Sequence, residues 1–118
     1  MSTELRLQAA CSQWFWNTHI KHRKRLRRIK NELDNHPYKT KQERMIQLNE
    51  NKSTGIIPGD SDFYFVDMPI LYIELKTETG TQSDEQKEFE QLVKSFGHDY
   101  ALVRNLQDFK TLINGRIK

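Results

Sequence analysis

The sequence predicts one α/β domain spanning residues 1–118, a small mixed β-sheet flanked by helices. Three observations carry that expectation. At 118 residues, with 36% hydrophobic and 30% charged side chains, the chain is the size of one domain with a modest core. Two β-rich runs, residues 62–66 and 70–77, are separated only by Asp67-Met68-Pro69, a connection short enough for a hairpin. A helical pattern over residues 83–96 is followed three residues later by a short apolar strand at 100–103, the spacing of a right-handed βαβ crossover.

Residues 3–19 read as the first helix. Leu5, Ala9, Ser12 and Trp16 form one seam, and Leu7, Cys11, Trp14 and Phe15 widen its apolar side. Glu4 and Gln8 stack one turn apart, so what one approaches the other approaches too. Seven of the ten residues 21–30 are Lys or Arg, followed by a loop at Asn35-His36-Pro37-Tyr38. Residues 39–49 suit a short helix with Met45, Ile46 and Leu48 as apolar contacts, and residues 55–59 form a turn-rich approach to the hairpin. In the helix over 83–96, Phe89, Leu92, Val93 and Phe96 follow the i, i+3, i+4, i+7 pattern. Ser83 and Gln86 form a capping-box pair, and Gly97 stands where a left-handed residue is wanted. Leu106, Phe109, Leu112 and Ile113 mark a last helix.

Composition narrows the function classes. No run of about 18 apolar residues exists, and the first residues lack a signal-peptide pattern, so a soluble, intracellular, cytoplasmic protein is expected, with no membrane partner. The single cysteine, Cys11, forms neither an internal disulfide nor a zinc knuckle and reads as a small buried hydrophobe. His19, His22, His36 and His98 match no metal-site spacing. The formal charge of +3 divides into +7 for residues 1–58 and −4 for residues 59–118. A basic half suits a phosphate backbone, and a locally acidic half suits a bound cation.

The hairpin holds the chemistry. With a three-residue loop at 67–69, Val66 faces Ile70, Tyr64 faces Tyr72, and Asp62 faces Glu74. Cross-strand Cβ atoms lie about 5 Å apart, and two carboxylates that close repel unless a cation lies between them. Alternation puts Asp62, Tyr64, Val66, Ile70, Tyr72, Glu74 and Lys76 on one face and Phe63, Phe65, Leu71, Ile73 and Leu75 in the core. Two or three hard oxygen ligands suit Mg²⁺ or Mn²⁺, which keep several waters and complete their shell with substrate phosphate. The Leu75 carbonyl offers a further oxygen. Lys76 is either an ammonium serving that centre or a strand-end lysine paired with Glu74 or Glu78.

These residues are also recognisable together. Gly59-Asp60-Ser61-Asp62, Ile73-Glu74-Leu75-Lys76, Gly80, Ser83-Asp84-Glu85-Gln86, Gly97 and Tyr100-Ala101-Leu102-Val103-Arg104 resemble the VRR-NUC domain, a branch of the PD-(D/E)XK nuclease superfamily. The likeness covers residues 55–113 and extends more weakly to the first helix. It implies a restriction-endonuclease-like αβββαβ core, with Asp62 and Glu74 as metal-binding acids and Lys76 as catalytic lysine. It further implies Gln86 as the glutamine opening the following helix, and Glu4 as an additional acid from the first helix. Gln86 has its capping role as an alternative, and Glu4 the role of a favourable charge in a helix's first turn. Ser61 stands where the family usually has proline. Asp60 is a second acid two residues upstream, and the strand register favours Asp62.

The resemblance implies a metal-dependent DNA endonuclease of the stand-alone phage or bacterial type. Such a protein is expected to be homodimeric, to work in a bacterial or phage-infected cell, and to act on branched DNA such as a Holliday junction or flap. The basic residues Lys21, Arg23, Lys24, Arg25, Arg27, Arg28 and Lys30 are the expected DNA contacts. The alternatives are a non-catalytic nucleic-acid-binding module that uses this segment, and an interaction protein whose basic arm meets an acidic partner.

Overall fold

Ser2 starts the first helix by accepting a hydrogen bond from the Leu5 N–H, 3.1 Å. The computed structural model describes residues 2–29 and 40–117. Its helices are α1 (Thr3–Thr18), α2 (Lys41–Ser53), α3 (Asp84–Ser95) and α4 (Leu106–Arg116), with a 3-10 helix at Ile20–Arg25. The strands are β1 (Leu26–Arg28), β2 (Phe63–Phe65), β3 (Leu71–Leu75) and β4 (Asp99–Val103), side by side in that order. β1 and β2 are antiparallel, as are β2 and β3, whereas β3 and β4 run parallel, so the sheet is mixed.

The hairpin register is the expected one, with Phe63 opposite Ile73, Tyr64 opposite Tyr72 and Phe65 opposite Leu71. Alternation therefore divides the sheet as anticipated. Phe63, Phe65, Leu71, Ile73 and Leu75 are buried with Cys11 and Phe15 of α1 and Phe109 and Ile113 of α4. Phe15 meets Phe65 edge-on at 5.9 Å between centroids, a favourable aromatic geometry. Against the other face lies α3, where the Phe89 ring meets Tyr72 at 5.3 Å and Tyr100 at 6.4 Å. The capping box at Ser83 and Gln86 is formed, and Gly97 takes a positive φ of 84° after the helix.

Several local expectations are corrected. In α1 the buried residues are Cys11 and Phe15, with Leu7 and Trp14 packed beside them, while Trp16 is 53% exposed, so the core-facing seam is shifted around the helix. In α3 only Val93 of the expected stripe is buried; Leu92 and Phe96 are exposed because the helix packs its Phe89 side on the sheet. α2 runs four residues beyond its expected end, and its Met45 and Ile46 are exposed rather than core contacts. Both hairpin strands are shorter than expected, leaving Asp62 just before β2 and Lys76 just after β3. The basic run contains an edge strand, β1, that periodicity did not reveal. The expected loop at 35–38 lies outside the described residues.

Phe65 is fully buried between sheet and α1, so Phe65→Ala is expected to cost about 3–5 kcal/mol. A urea titration should show a lower midpoint with an unchanged slope.

Candidate active site

The hairpin sets two acids against each other. Asp62 is 5% exposed and Glu74, the fourth residue of β3, is 1% exposed. Glu4 in the first turn of α1 adds a third carboxylate, and one oxygen from each lies within 4.8 Å of the others. Glu4, Asp62 and Glu74 are thus brought together from three separate segments of the chain.

Each acid is held from behind. Asp62 Oδ2 accepts a 2.7 Å hydrogen bond from the Leu75 N–H, and the Asp62 backbone N–H donates to the Ile73 carbonyl at 3.0 Å. Leu75 thus joins the site through its amide while its side chain fills the core. Glu74 Oε2 accepts from Gln86 Nε2 at 3.1 Å, and Glu74 Oε1 accepts from the Tyr100 hydroxyl at 3.3 Å. Gln86 does two things at once: its Oε1 accepts from the Ser83 N–H at 2.8 Å, closing the capping box, while its amide nitrogen reaches Glu74. The cap and the contact with Glu74 coexist because the side chain lies between the helix start and the acid.

Electrostatics follow from this crowding. Burial, and next the charge of Asp62, raise the Glu74 carboxyl to about 8, and the Lys76 ammonium opposes the shift. Burial and Asp62 likewise raise Glu4, again opposed by Lys76. Lys76, whose N–H donates to the Val103 carbonyl at 3.0 Å, therefore places its positive charge within reach of two of the three acids. A set of oxygen donors that disfavours its own full ionisation fits a hard divalent cation, which removes the conflict when it binds.

The acids open into a cavity of about 390 Å³ whose other walls are Pro58, Gly59, Asp60, Ser83, Glu85 and Gln86. Asp60 lines this space, and burial raises its carboxyl, but it stands outside the carboxylate triad. Gly59 adopts φ 100°, and a Cβ there would lie 2.6 Å from the Glu85 carbonyl oxygen. Only glycine lets this loop close against the start of α3.

Sequence reasoning missed two contributors. Tyr100 opens the apolar strand expected at 100–103, yet its hydroxyl serves Glu74, and Gln82 Nε2 in turn contacts that hydroxyl at 3.3 Å and Glu90 Oε1 at 3.0 Å. The β4 register, with Tyr100 beside Tyr72 and Leu102 beside Glu74, is the signal for Tyr100, and it becomes readable only once the parallel pairing is known.

The basic segment is not a uniform arm. Arg25 is turned onto the fold: its Nε donates to the Val66 carbonyl at 2.9 Å, its guanidinium sits 4.4 Å from the Phe65 ring centroid, and it pairs with Asp67 at 3.4 Å. Arg23 donates to the Trp16 carbonyl at 2.8 Å and covers the indole. Lys21, Lys24, Arg27 and Arg28 are exposed, and Lys30 lies outside the described residues.

Comparison of the fold places it beside a solved structure described as a VRR_NUC domain protein, with a TM-score of 0.75 over 99% of this chain and 89% of that chain, at 16% sequence identity. The chain shares the fold of that protein. No family model matches its sequence. No curated protein does so either. Among the described residues no helix is long and apolar enough to cross a membrane.

Because the Glu74 carboxyl is raised, the folded chain keeps a proton there that the unfolded chain has lost. The stabilising contribution is complete below about 4.5 and disappears as pH rises through about 8. In EDTA the melting temperature is expected to fall between these limits. Mn²⁺ should raise it much more at the upper limit than at the lower, as differential scanning fluorimetry can measure.

Proposed function

We propose that this protein is a divalent-metal-dependent nuclease that hydrolyses phosphodiester bonds in DNA. The observation that carries the proposal is the convergence of Glu4, Asp62 and Glu74 within 4.8 Å beside Lys76, at the mouth of a polar cavity. In support, the fold is that of a protein described as a VRR_NUC domain protein.

Asp62 and Glu74 would hold Mg²⁺ or Mn²⁺, with the Leu75 carbonyl between Glu74 and Lys76 as a further oxygen and Glu4 completing the acidic wall. When bound, such an ion would supply polarisation of a phosphoryl oxygen and a more acidic water. The protein groups supply the rest. Attack of water on phosphorus breaks one P–O ester bond, leaves a phosphate monoester on one fragment and a hydroxyl on the other, and releases one proton. Lys76 offsets the negative charge that gathers on the phosphoryl oxygens and orients the attacking water. Gln86 keeps Glu74 aimed into the cavity by donating to Oε2, while its own oxygen is fixed by the Ser83 amide. Leu75 does the same for Asp62 through its N–H.

The substrate is proposed to be branched DNA, a Holliday junction or flap, cut by a homodimer that presents two such sites, within a bacterial or phage-infected cell. A second reading, a module that binds DNA without cutting it, is favoured by the exposed basic residues Lys21, Lys24, Arg27 and Arg28. Three buried or half-buried acids set at one point have no part in that reading, so the nuclease is preferred.

Incubation with labelled four-way, flap and linear DNA in Mg²⁺, Mn²⁺ or EDTA tests this. Cleavage is expected with either metal and absent in EDTA; cutting that persists undiminished in EDTA would overturn the mechanism. Asp62→Asn and Lys76→Ala should each lower the cleavage rate about a hundredfold or more. Above about pH 8, where Glu74 is ionised as well, Asp62→Asn also removes one of two facing charges while keeping an acceptor for the Leu75 N–H. Its melting temperature in EDTA should therefore exceed that of the native chain, the signature of a site kept at the expense of stability.

A further inference from the structure

A second cavity, about 420 Å³, lies between α1 and β1. Its walls include Trp16 of α1, Arg23 and Lys24 of the 3-10 helix, and Arg27 and Arg28 of β1. No carboxylate lines it among the described residues. Arg23, Lys24 and Arg27 bring three cations to one groove, which repel each other unless an anion joins them, and one of these side chains has a different posture from the rest. Arg23 is fixed by its bond to the Trp16 carbonyl, 2.8 Å, and its guanidinium lies 4.6 Å from the Trp16 ring centroid. The pair forms a flat plate, and Trp16 remains 53% exposed.

We propose that this groove binds single-stranded nucleic acid, with an unpaired base stacked on the plate formed by Trp16 and Arg23 and the backbone held by Lys24 and Arg27. Flat aromatic and guanidinium faces beside cations are how single strands are gripped without sequence preference. A duplex hides its base faces in the stack and offers only phosphates, so it leaves the plate unused. The cavity volume falls within the few hundred Å³ that enclose a small ligand, and a single nucleotide is of that scale.

The groove is also placed to act with the acids. α1 carries Glu4 at the metal-binding cluster and Ser12 and Trp16 at the groove. At about 1.5 Å per helical residue these points are about 12–18 Å apart, a span of a few nucleotides. The inference deepens the proposed function and rests on it for this spacing: a substrate with a single-stranded arm lies along α1, held at one end and cut at the other.

Binding measured in EDTA separates the groove from catalysis, because a chain that never cuts still reports on it. Fluorescence anisotropy with a labelled oligothymidylate and a length-matched duplex is the experiment. Trp16→Ala is expected to weaken single-strand binding about tenfold or more, to change duplex binding by less than about twofold, and to leave the circular dichroism spectrum intact. Trp16→Phe should restore most of the affinity. Lys24→Ala should reduce the salt slope for the single strand by about 0.7. Unchanged single-strand affinity in Trp16→Ala, or an equal loss for duplex and single strand, overturns the proposal. Loss of cleavage with intact single-strand binding would count against the nuclease reading alone.

Discussion

Two carboxylates facing each other across a hairpin, both removed from water, set the terms for the rest of this molecule. Asp62 and Glu74 repel, and burial denies them the solvent that ordinarily softens the repulsion. The surrounding structure answers with directed donors: the Leu75 amide for one acid, Gln86 and Tyr100 for the other, and the Lys76 ammonium nearby. The donors come from β3, β4 and α3. The sheet order and the placement of α3 are thus bound up with the acids as well as with the hydrophobic core.

The two faces of the sheet divide the labour. Phe63, Phe65, Leu71, Ile73 and Leu75 pack against α1 and α4 and supply the apolar burial that holds the chain folded. On the opposite face, Tyr64 and Tyr72 bridge toward α3 through Phe89. Glu74 stands one step further along the same face, where the aromatic cover ends and the cavity begins. At the other end of the hairpin, Asp67 is clasped by Arg25 and Arg116, and Arg116 also pairs with Asp99. These contacts tie the loop to β4 and α4, away from the acids.

Much of this was legible before any coordinates. The hairpin register followed from the length of its loop, because a strand's side-chain period of two allows no slip without exposing the core face. That register alone brought Asp62 opposite Glu74. The helix cap at Ser83 and Gln86 was equally local and equally readable. What stayed hidden depended on long-range packing. The three residues of β1 carry two arginines and no apolar alternation, and they form a strand only because the edge of β2 is there to pair with. Trp16 lay on an apolar seam by count, but the sheet meets α1 on its Cys11 and Phe15 side. Tyr100 looked like core until the parallel alignment of β3 and β4 put its hydroxyl next to Glu74.

The double engagement of Gln86 reaches into how the chain is made. One side chain finishes the start of α3 and steadies Glu74, while the remaining parts of the centre come from as early as Glu4 and as late as Tyr100. A growing polypeptide therefore carries these acids as scattered, hydrated and harmless groups through nearly the whole of its synthesis. They gather only in the folded chain, so the acidic cluster arrives together with the native state and departs with it. Fraying of that one helix end is enough to take from Glu74 its amide donor.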